Sequence, residues 1–137
     1  MGVNMSHYPE ELQYSETHEW ALQTNDTNIV TVGITDYLQQ QLGEIEAVEL
    51  PEVGLKIIAG DDVCVLESVK VTAEIISPLS GRIVAVNEDL EESPGLINID
   101  PYQDGWLFKL ELKDRGEYDE LMDVSAYQEL LAELEED

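Results

Sequence analysis

The chain has 137 residues, of which 31 are Asp or Glu and only six are Lys or Arg, giving a formal charge of −25. That length makes one domain over 1–137, and its hydrophobic (43%) and charged (27%) fractions are those of a globular protein able to bury a core. The charge argues against nucleic acid and against anionic membrane, because both need cations to neutralise phosphate; it favours proteins with basic docking faces, and it also serves plain solubility.

The chain opens with residues 1–13, expected as an N-terminal extension. Its Met1-Gly2-Val3-Asn4-Met5 start has no basic or apolar leader region and none of the arginines of a transit peptide. The expectation is a bacterial cytoplasmic protein, with the mitochondrial matrix as the alternative only if a transit peptide has been removed. No run is long and apolar enough to span a membrane as a helix. The lone Cys64 allows no intrachain disulfide, which suits a reducing compartment.

Along the chain, Val30, Val32 and Ile34 alternate with Thr31 and Gly33, the pattern of a strand with one buried face. Thr35-Asp36 then offers a helix start, Leu38 and Leu42 fall on one face, and Gly43 is a good stop, so a short helix is expected over 36–42. Strands are expected over 45–50, 56–59, 63–66, 72–76, 82–86, 96–99 and 106–112, separated by Pro51, Gly54, Gly60, Pro78, Gly81, Pro94 and Gly95. So many short strands at this spacing point to an all-β sandwich or barrel. Pro51-Glu52-Val53-Gly54-Leu55 is echoed by Pro78-Leu79-Ser80-Gly81-Arg82, one copy on each side of residue 70. Two such half-units place that residue close to a pseudo-twofold axis.

The last element is a helix over 125–134. Ser125 and Gln128 form a capping-box pair. Tyr127, Leu130, Leu131 and Leu134 make one apolar stripe. Glu133, Glu135, Glu136 and Asp137 sit where the helix dipole disfavours anions, so the last turn is expected to fray.

Several chemistries lack the residues they need. Two histidines and one cysteine cannot build an ordinary Cys/His zinc site. There is no phosphate-cradling glycine loop, no nucleophile elbow and no calcium-loop spacing. No catalytic carboxylate pair is marked out either. What does stand out is Lys70, a single cation between the apolar runs around Val65-Leu66 and Ile75-Ile76. It falls where a hairpin must turn, and a primary amine held on such a turn is a place to attach an acyl group. Most turn lysines do no more than keep the turn solvated.

Several stretches decide between those readings. Thr17-His18-Glu19-Trp20, Val32-Gly33-Ile34-Thr35-Asp36, Val48-Glu49-Leu50-Pro51, Glu67-Ser68-Val69-Lys70, Ser77-Pro78-Leu79-Ser80-Gly81, Pro94-Gly95-Leu96-Ile97-Asn98, Asp100-Pro101-Tyr102 and Asp104-Gly105-Trp106 follow one another along most of the chain. In that order they resemble the lipoyl-bearing H proteins of the glycine cleavage system. Lipoyl domains of 2-oxo acid dehydrogenases carry Asp-Lys-Ala at the attachment site and biotin carriers Met-Lys-Met; this chain has Glu-Ser-Val-Lys.

The resemblance implies a flattened β-sandwich of the lipoyl/biotinyl type (a barrel-sandwich hybrid), with the short helix near 36–42 and the C-terminal helix outside it. It implies a non-catalytic lipoyl carrier with lipoate joined through an amide to Lys70. That carrier shuttles the aminomethyl group of glycine from a pyridoxal-phosphate glycine decarboxylase to a tetrahydrofolate-dependent aminomethyltransferase. An FAD-dependent dihydrolipoyl dehydrogenase reoxidises the arm, and a lipoate ligase or lipoyl transferase attaches it. By motif position Thr17, Glu19 and Glu74 line a cleft that shelters the loaded arm; the family more often has serine at the first position and aspartate at the third. The alternative for Glu19 and Glu74 is a solvated strand carboxylate. His18 either polarises a group in that cleft or packs at the surface beside Trp20. Rival readings are a lipoyl-relay paralogue, a biotin carrier, and an unmodified acidic interaction protein.

Overall fold

The computed structural model describes residues 8–24 and 27–135. Nine strands and five helices alternate along them: β1 (Gln13–Tyr14), β2 (Glu19–Gln23), β3 (Ile29–Ile34), α1 (Asp36–Leu42), β4 (Ile45–Glu49), β5 (Lys56–Ile57), β6 (Asp62–Ser68), β7 (Thr72–Ile76), β8 (Gly81–Val86), α2 (Asp89–Glu92), α3 (Leu96–Ile99), β9 (Phe108–Leu112), α4 (Arg115–Asp119) and α5 (Val124–Glu135). Six strands make one sheet in the order β1-β2-β3-β9-β8-β5, and three make a second in the order β4-β6-β7. Every pairing is antiparallel. The alternation read along residues 30–34 faces Val30, Val32 and Ile34 inward, where they join Phe108, Leu110, Ile83, Leu66 and Ile75 in the core.

The two Pro-x-x-Gly copies lie against each other. Lys56 pairs with Arg82 and Ile57 with Gly81, and the Gly54 amide donates to the Ile83 carbonyl at 2.7 Å. Inside this outer pair sits an inner one, with Val65 opposite Glu74 and Glu67 opposite Thr72. Both pairings centre on Val69–Lys70, so the turn is the tip of a nested double hairpin.

Helix α1 forms where the cap signals put it. Thr35 Oγ1 accepts from the Leu38 amide, and Gly43 ends the helix with a φ of 82°, a left-handed value that glycine adopts without strain. Three expectations need correction. Residues 96–99 form α3 rather than a strand: Ile97 is fully buried while Ile99 is 81% exposed, although a strand would put both on one face. A four-residue apolar run after Pro-Gly carries no period that separates strand from helix.

The last strand begins at Phe108, not 106. The Asn87 side chain donates to the carbonyls of both Asp104 and Trp106 at 2.8 Å, which takes that segment off the ladder and leaves Leu107 buried. Helix α5 starts at Val124, and Asp123 rather than Ser125 caps it, its Oδ1 accepting from the Ala126 amide. The stripe buries Tyr127 and Leu131 but leaves Leu134 exposed. Of the residues expected to fray, Glu136 and Asp137 lie outside those described.

A second, aromatic cluster holds α5 to the first sheet. Tyr14 stacks on Tyr127 at 4.7 Å between ring centres, and Tyr8 and Leu12, from the N-terminal segment, are buried beside them. No helix among the described residues is long and apolar enough to cross a membrane.

Candidate functional site

Lys70 sits at the exposed tip between β6 and β7. Ser68 builds the turn. Its amide donates to the Val71 carbonyl at 2.8 Å, its hydroxyl donates to the same carbonyl, and Oγ accepts from the amides of Lys70 and Val71, all three at 3.1 Å. One hydroxyl thus satisfies backbone groups that a tight turn leaves without ladder partners. Val69 and Val71 flank the lysine and remain 55% and 43% exposed. Among the described residues no ion pair involves Lys70. An exposed, unpaired primary amine on a pinned turn fits the covalent attachment of an acyl group.

Thr17 and Glu19 lie elsewhere, Thr17 on the turn that enters β2 and Glu19 at the first position of that strand. Glu19 is only 2% exposed, so the reading of it as a solvated carboxylate fails. Its Oε1 accepts from the hydroxyls of Ser15 (2.7 Å) and Thr17, and Ser15 Oγ accepts from the Glu19 amide at 3.0 Å. Burial pushes the Glu19 carboxyl up to about 7, against the pull of those hydrogen bonds toward the ionised form. Ser15 had no place in the sequence reading. Its signal was available, because a hydroxyl at 15, a hydroxyl at 17 and a carboxyl at 19 repeat at a two-residue spacing.

Glu74 projects from β7 into solvent. The Asp62 carboxyl beside it raises its pKa, first through a shared hydrogen bond and then through charge repulsion. No hydrogen bond or ion pair joins Glu74 to Thr17 or Glu19 among the described residues. A cavity of about 520 Å³ is lined by Ser15, Thr17, Gly60, Ile76 and Ser77 with Glu117 and Met122 from the C-terminal segment; Thr17 lines it, and Glu19 and Glu74 do not. Ile76 follows Glu74 by two residues, so both face the same side of β7. Glu74 therefore stands on the strand that leaves the Lys70 turn toward the cavity, two residues before Ile76.

His18 is half-buried and packs against two rings. It lies 4.6 Å from Tyr37 and 5.7 Å from Tyr127 between ring centres, and its Nδ1 is hydrogen-bonded to the Tyr127 hydroxyl at 2.8 Å. Burial lowers its pKa, which keeps the ring neutral at pH 7. The same Tyr127 hydroxyl reaches Thr35 Oγ1 at 2.7 Å, tying α5, α1 and the 15–19 loop at one point. His18 has a φ of 74°, unusual for a residue with a Cβ, at the bend that turns Thr17 toward Glu19. Trp20 is buried and donates Nε1–H to the Pro101 carbonyl at 3.0 Å, whereas Trp106 is partly exposed under the Lys109 ammonium. Cys64 is buried, and its thiol is pushed up to about 12, chiefly by that burial.

A family model described as glycine cleavage H-protein matches residues 12–134. The chain is 50% identical over 133 residues to the glycine cleavage system H protein of Pectobacterium atrosepticum, covering 97% of this chain and 99% of that one. It is 51% identical over 129 residues to the H protein of Aeromonas salmonicida, covering 94% and 99%. The crystal structure of a glycine cleavage system H protein from Mycobacterium marinum superposes with a TM-score of 0.81 at 34% identity, over 90% of this chain and 98% of that one.

Proposed function

The chain belongs to the glycine cleavage H-protein family, and from that premise we propose that Lys70 is its lipoyl attachment point, with Thr17, Glu19 and Glu74 serving the arm that hangs from it. The function that goes with membership is lipoyl carrier of the glycine cleavage system. The observation that supports the site most strongly is Lys70 itself, an exposed amine with no ion-pair partner among the described residues, on a turn closed by the Ser68 hydroxyl.

Lipoate held there through an amide to Lys70 would supply a cyclic disulfide as the redox and carrier group. The chain's own residues do the rest. The β6–β7 hairpin presents the amine at an exposed tip. The cavity between the 15–17 segment and Ile76–Ser77 offers a recess lined by Ser15 and Thr17, whose hydroxyls both donate to the Glu19 carboxyl buried behind them. At about 7, Glu19 can hold a proton on its carboxyl or release it near neutral pH. Glu74 adds a surface carboxylate on the way, next to Asp62. A cationic amine passing over these groups is stabilised by charge, and a tethered one is not lost to bulk solvent between enzymes.

The protein acts as a carrier rather than a catalyst. Its working partners on this reading are a pyridoxal-phosphate glycine decarboxylase, a tetrahydrofolate-dependent aminomethyltransferase, an FAD-dependent dihydrolipoyl dehydrogenase, and a lipoate ligase or lipoyl transferase. Bacterial relatives support placing it in the cytoplasm.

Reconstitution tests the proposal. Lipoylated wild-type chain supports exchange of labelled bicarbonate into glycine by the decarboxylase. Lys70→Arg supports none, and it unfolds within about 0.5 kcal/mol of wild type because an exposed side chain contributes little to stability. Exchange by Lys70→Arg, or its failure to fold, overturns the assignment.

A further inference from the structure

Lys70 does not stand on its hairpin alone. The Val69 amide donates to the Glu44 carbonyl at 3.0 Å, and the lysine methylenes lie along Gly43, where a built Cβ would come 3.2 Å from Lys70 Cε. Ile45 opens β4 directly opposite Ser68. The turn therefore rests on a ledge made of Gly43 and Glu44, which follow α1, and Ile45, the first rung of the second sheet.

Glu44 is the exposed member of that ledge, whereas the Ile45 side chain is buried in the core. β4 is an outer strand of its sheet, and Gly43 leaves the helix with a left-handed φ. A short loop at a sheet edge has backbone groups without ladder partners and is free to move unless something holds it. Beyond the Gly43–Gln39 backbone bond and the buried Ile45, one side chain ties this loop to a second element. Asn98, on α3, accepts from the Ile45 amide through Oδ1 at 2.9 Å and donates through Nδ2 to the Gly43 carbonyl and to Gln39 Oε1, each at 2.9 Å. Three of its four hydrogen-bonding positions are used on α1, on the loop after it and on the start of β4. Its own helix is fixed by Ile97, which is fully buried in the main core.

We propose that Asn98 is a positioning residue for Lys70. It locks the 43–45 ledge to the core, and the ledge in turn fixes where the amine is presented to the enzyme that acylates it. The inference rests on Lys70 being the attachment point, but its first consequence is read without any acylation. Val69 reports the ledge through its amide, because that N–H exchanges with solvent only when the bond to Glu44 opens. Asn87 provides a matched control: it too donates twice through Nδ2, to the backbone carbonyls of Asp104 and Trp106.

The experiment compares full-length wild type, Asn98→Ala, Asn98→Asp and Asn87→Ala. Asn98→Asp keeps the acceptor for Ile45 and loses both donors, so it covers the case in which alanine does not fold. Amide exchange is measured on the unmodified chains, and steady-state lipoylation is measured with a lipoate ligase, ATP and lipoate. Expected for either Asn98 variant is at least tenfold faster exchange at Val69 with core amides in β3 and β9 unchanged. Lipoylation kcat/KM falls about tenfold, mostly through KM, because the lysine is intact but poorly placed. Asn87→Ala changes neither. The proposal is overturned if Val69 exchange stays at the wild-type rate in a folded Asn98 variant, or if Asn87→Ala produces the same changes. Wild-type chain that takes no label on Lys70 defeats the attachment reading instead, while the exchange data still decide whether Asn98 holds the ledge.

Discussion

At the scale of single residues, Glu19 carries the most unusual chemistry in the chain. A carboxyl 2% exposed, held by two hydroxyls and pushed up to about 7 by burial, binds its proton more tightly in the folded state than in the unfolded one, where it titrates near 4.5. The linkage sign follows from that. As pH rises from about 4.5 to about 7 the unfolded chain gives up this proton first, so folding loses stability across that window and no more above it. The full loss is up to about 3 kcal/mol. Glu19→Gln removes the titration and leaves an oxygen for Ser15 and Thr17 to donate to. Denaturant unfolding at several pH values should therefore show the variant gaining on wild type between pH 4.5 and 7. Two curves that stay parallel would refute the buried-proton description. His18, lowered by burial, works the other way and costs stability as pH falls below 6.5, so the comparison between variants, not the wild-type curve alone, isolates Glu19.

At the scale of elements, the parts legible in the sequence are those whose side chains state their own environment. The alternation at 30–34 is one. The Thr35–Gly43 pair is another, because a hydroxyl cap and a left-handed glycine define both ends of a helix within a few residues. What could not be read depends on distant partners. α3 is a helix whose Asn98 reaches 53 residues back to Ile45, and β9 is shortened by an asparagine at position 87. The 15–19 loop owes its shape to Tyr127 from the far end of the chain. Of the site, Lys70 was legible from its place between two apolar runs. The burial of Glu19 was not, since nothing near it in sequence shows what covers it. One close approach was present in the motif without being recognised: Gly33 pairs with Trp20 across β2–β3, and a Cβ there would sit 2.6 Å from the indole ring. Gly33→Ala should cost about 1–3 kcal/mol through overpacking, read as a lower urea midpoint together with altered tryptophan fluorescence. An unchanged midpoint would mean the ring moves aside freely and does not anchor the strand pair.

At the scale of the whole molecule, the few cations are distributed unevenly. Lys56, Arg82 and Lys113 line one concavity of about 640 Å³ at the β5–β8–β9 end, Arg82 pairs with Glu111, and Lys109 lies over Trp106. Lys70 stands alone at the opposite end of the β6–β7 hairpin, on a body whose formal charge is −25. Such a field steers basic-faced partners toward the protein and leaves a single amine at the tip for them to reach. The pairing of β5 with β8 brackets that of β6 with β7 in sequence, and beside the tip the Val69 amide is bonded to the Glu44 carbonyl. All of this turns on the identity of the group that Lys70 bears in its native cell. Peptide mass mapping of chain purified from its source addresses that directly. The account predicts a lipoyl adduct on the peptide containing Lys70 and on no other lysine. An unmodified Lys70 in cells supplied with lipoate, or a biotinyl adduct in its place, would contradict it.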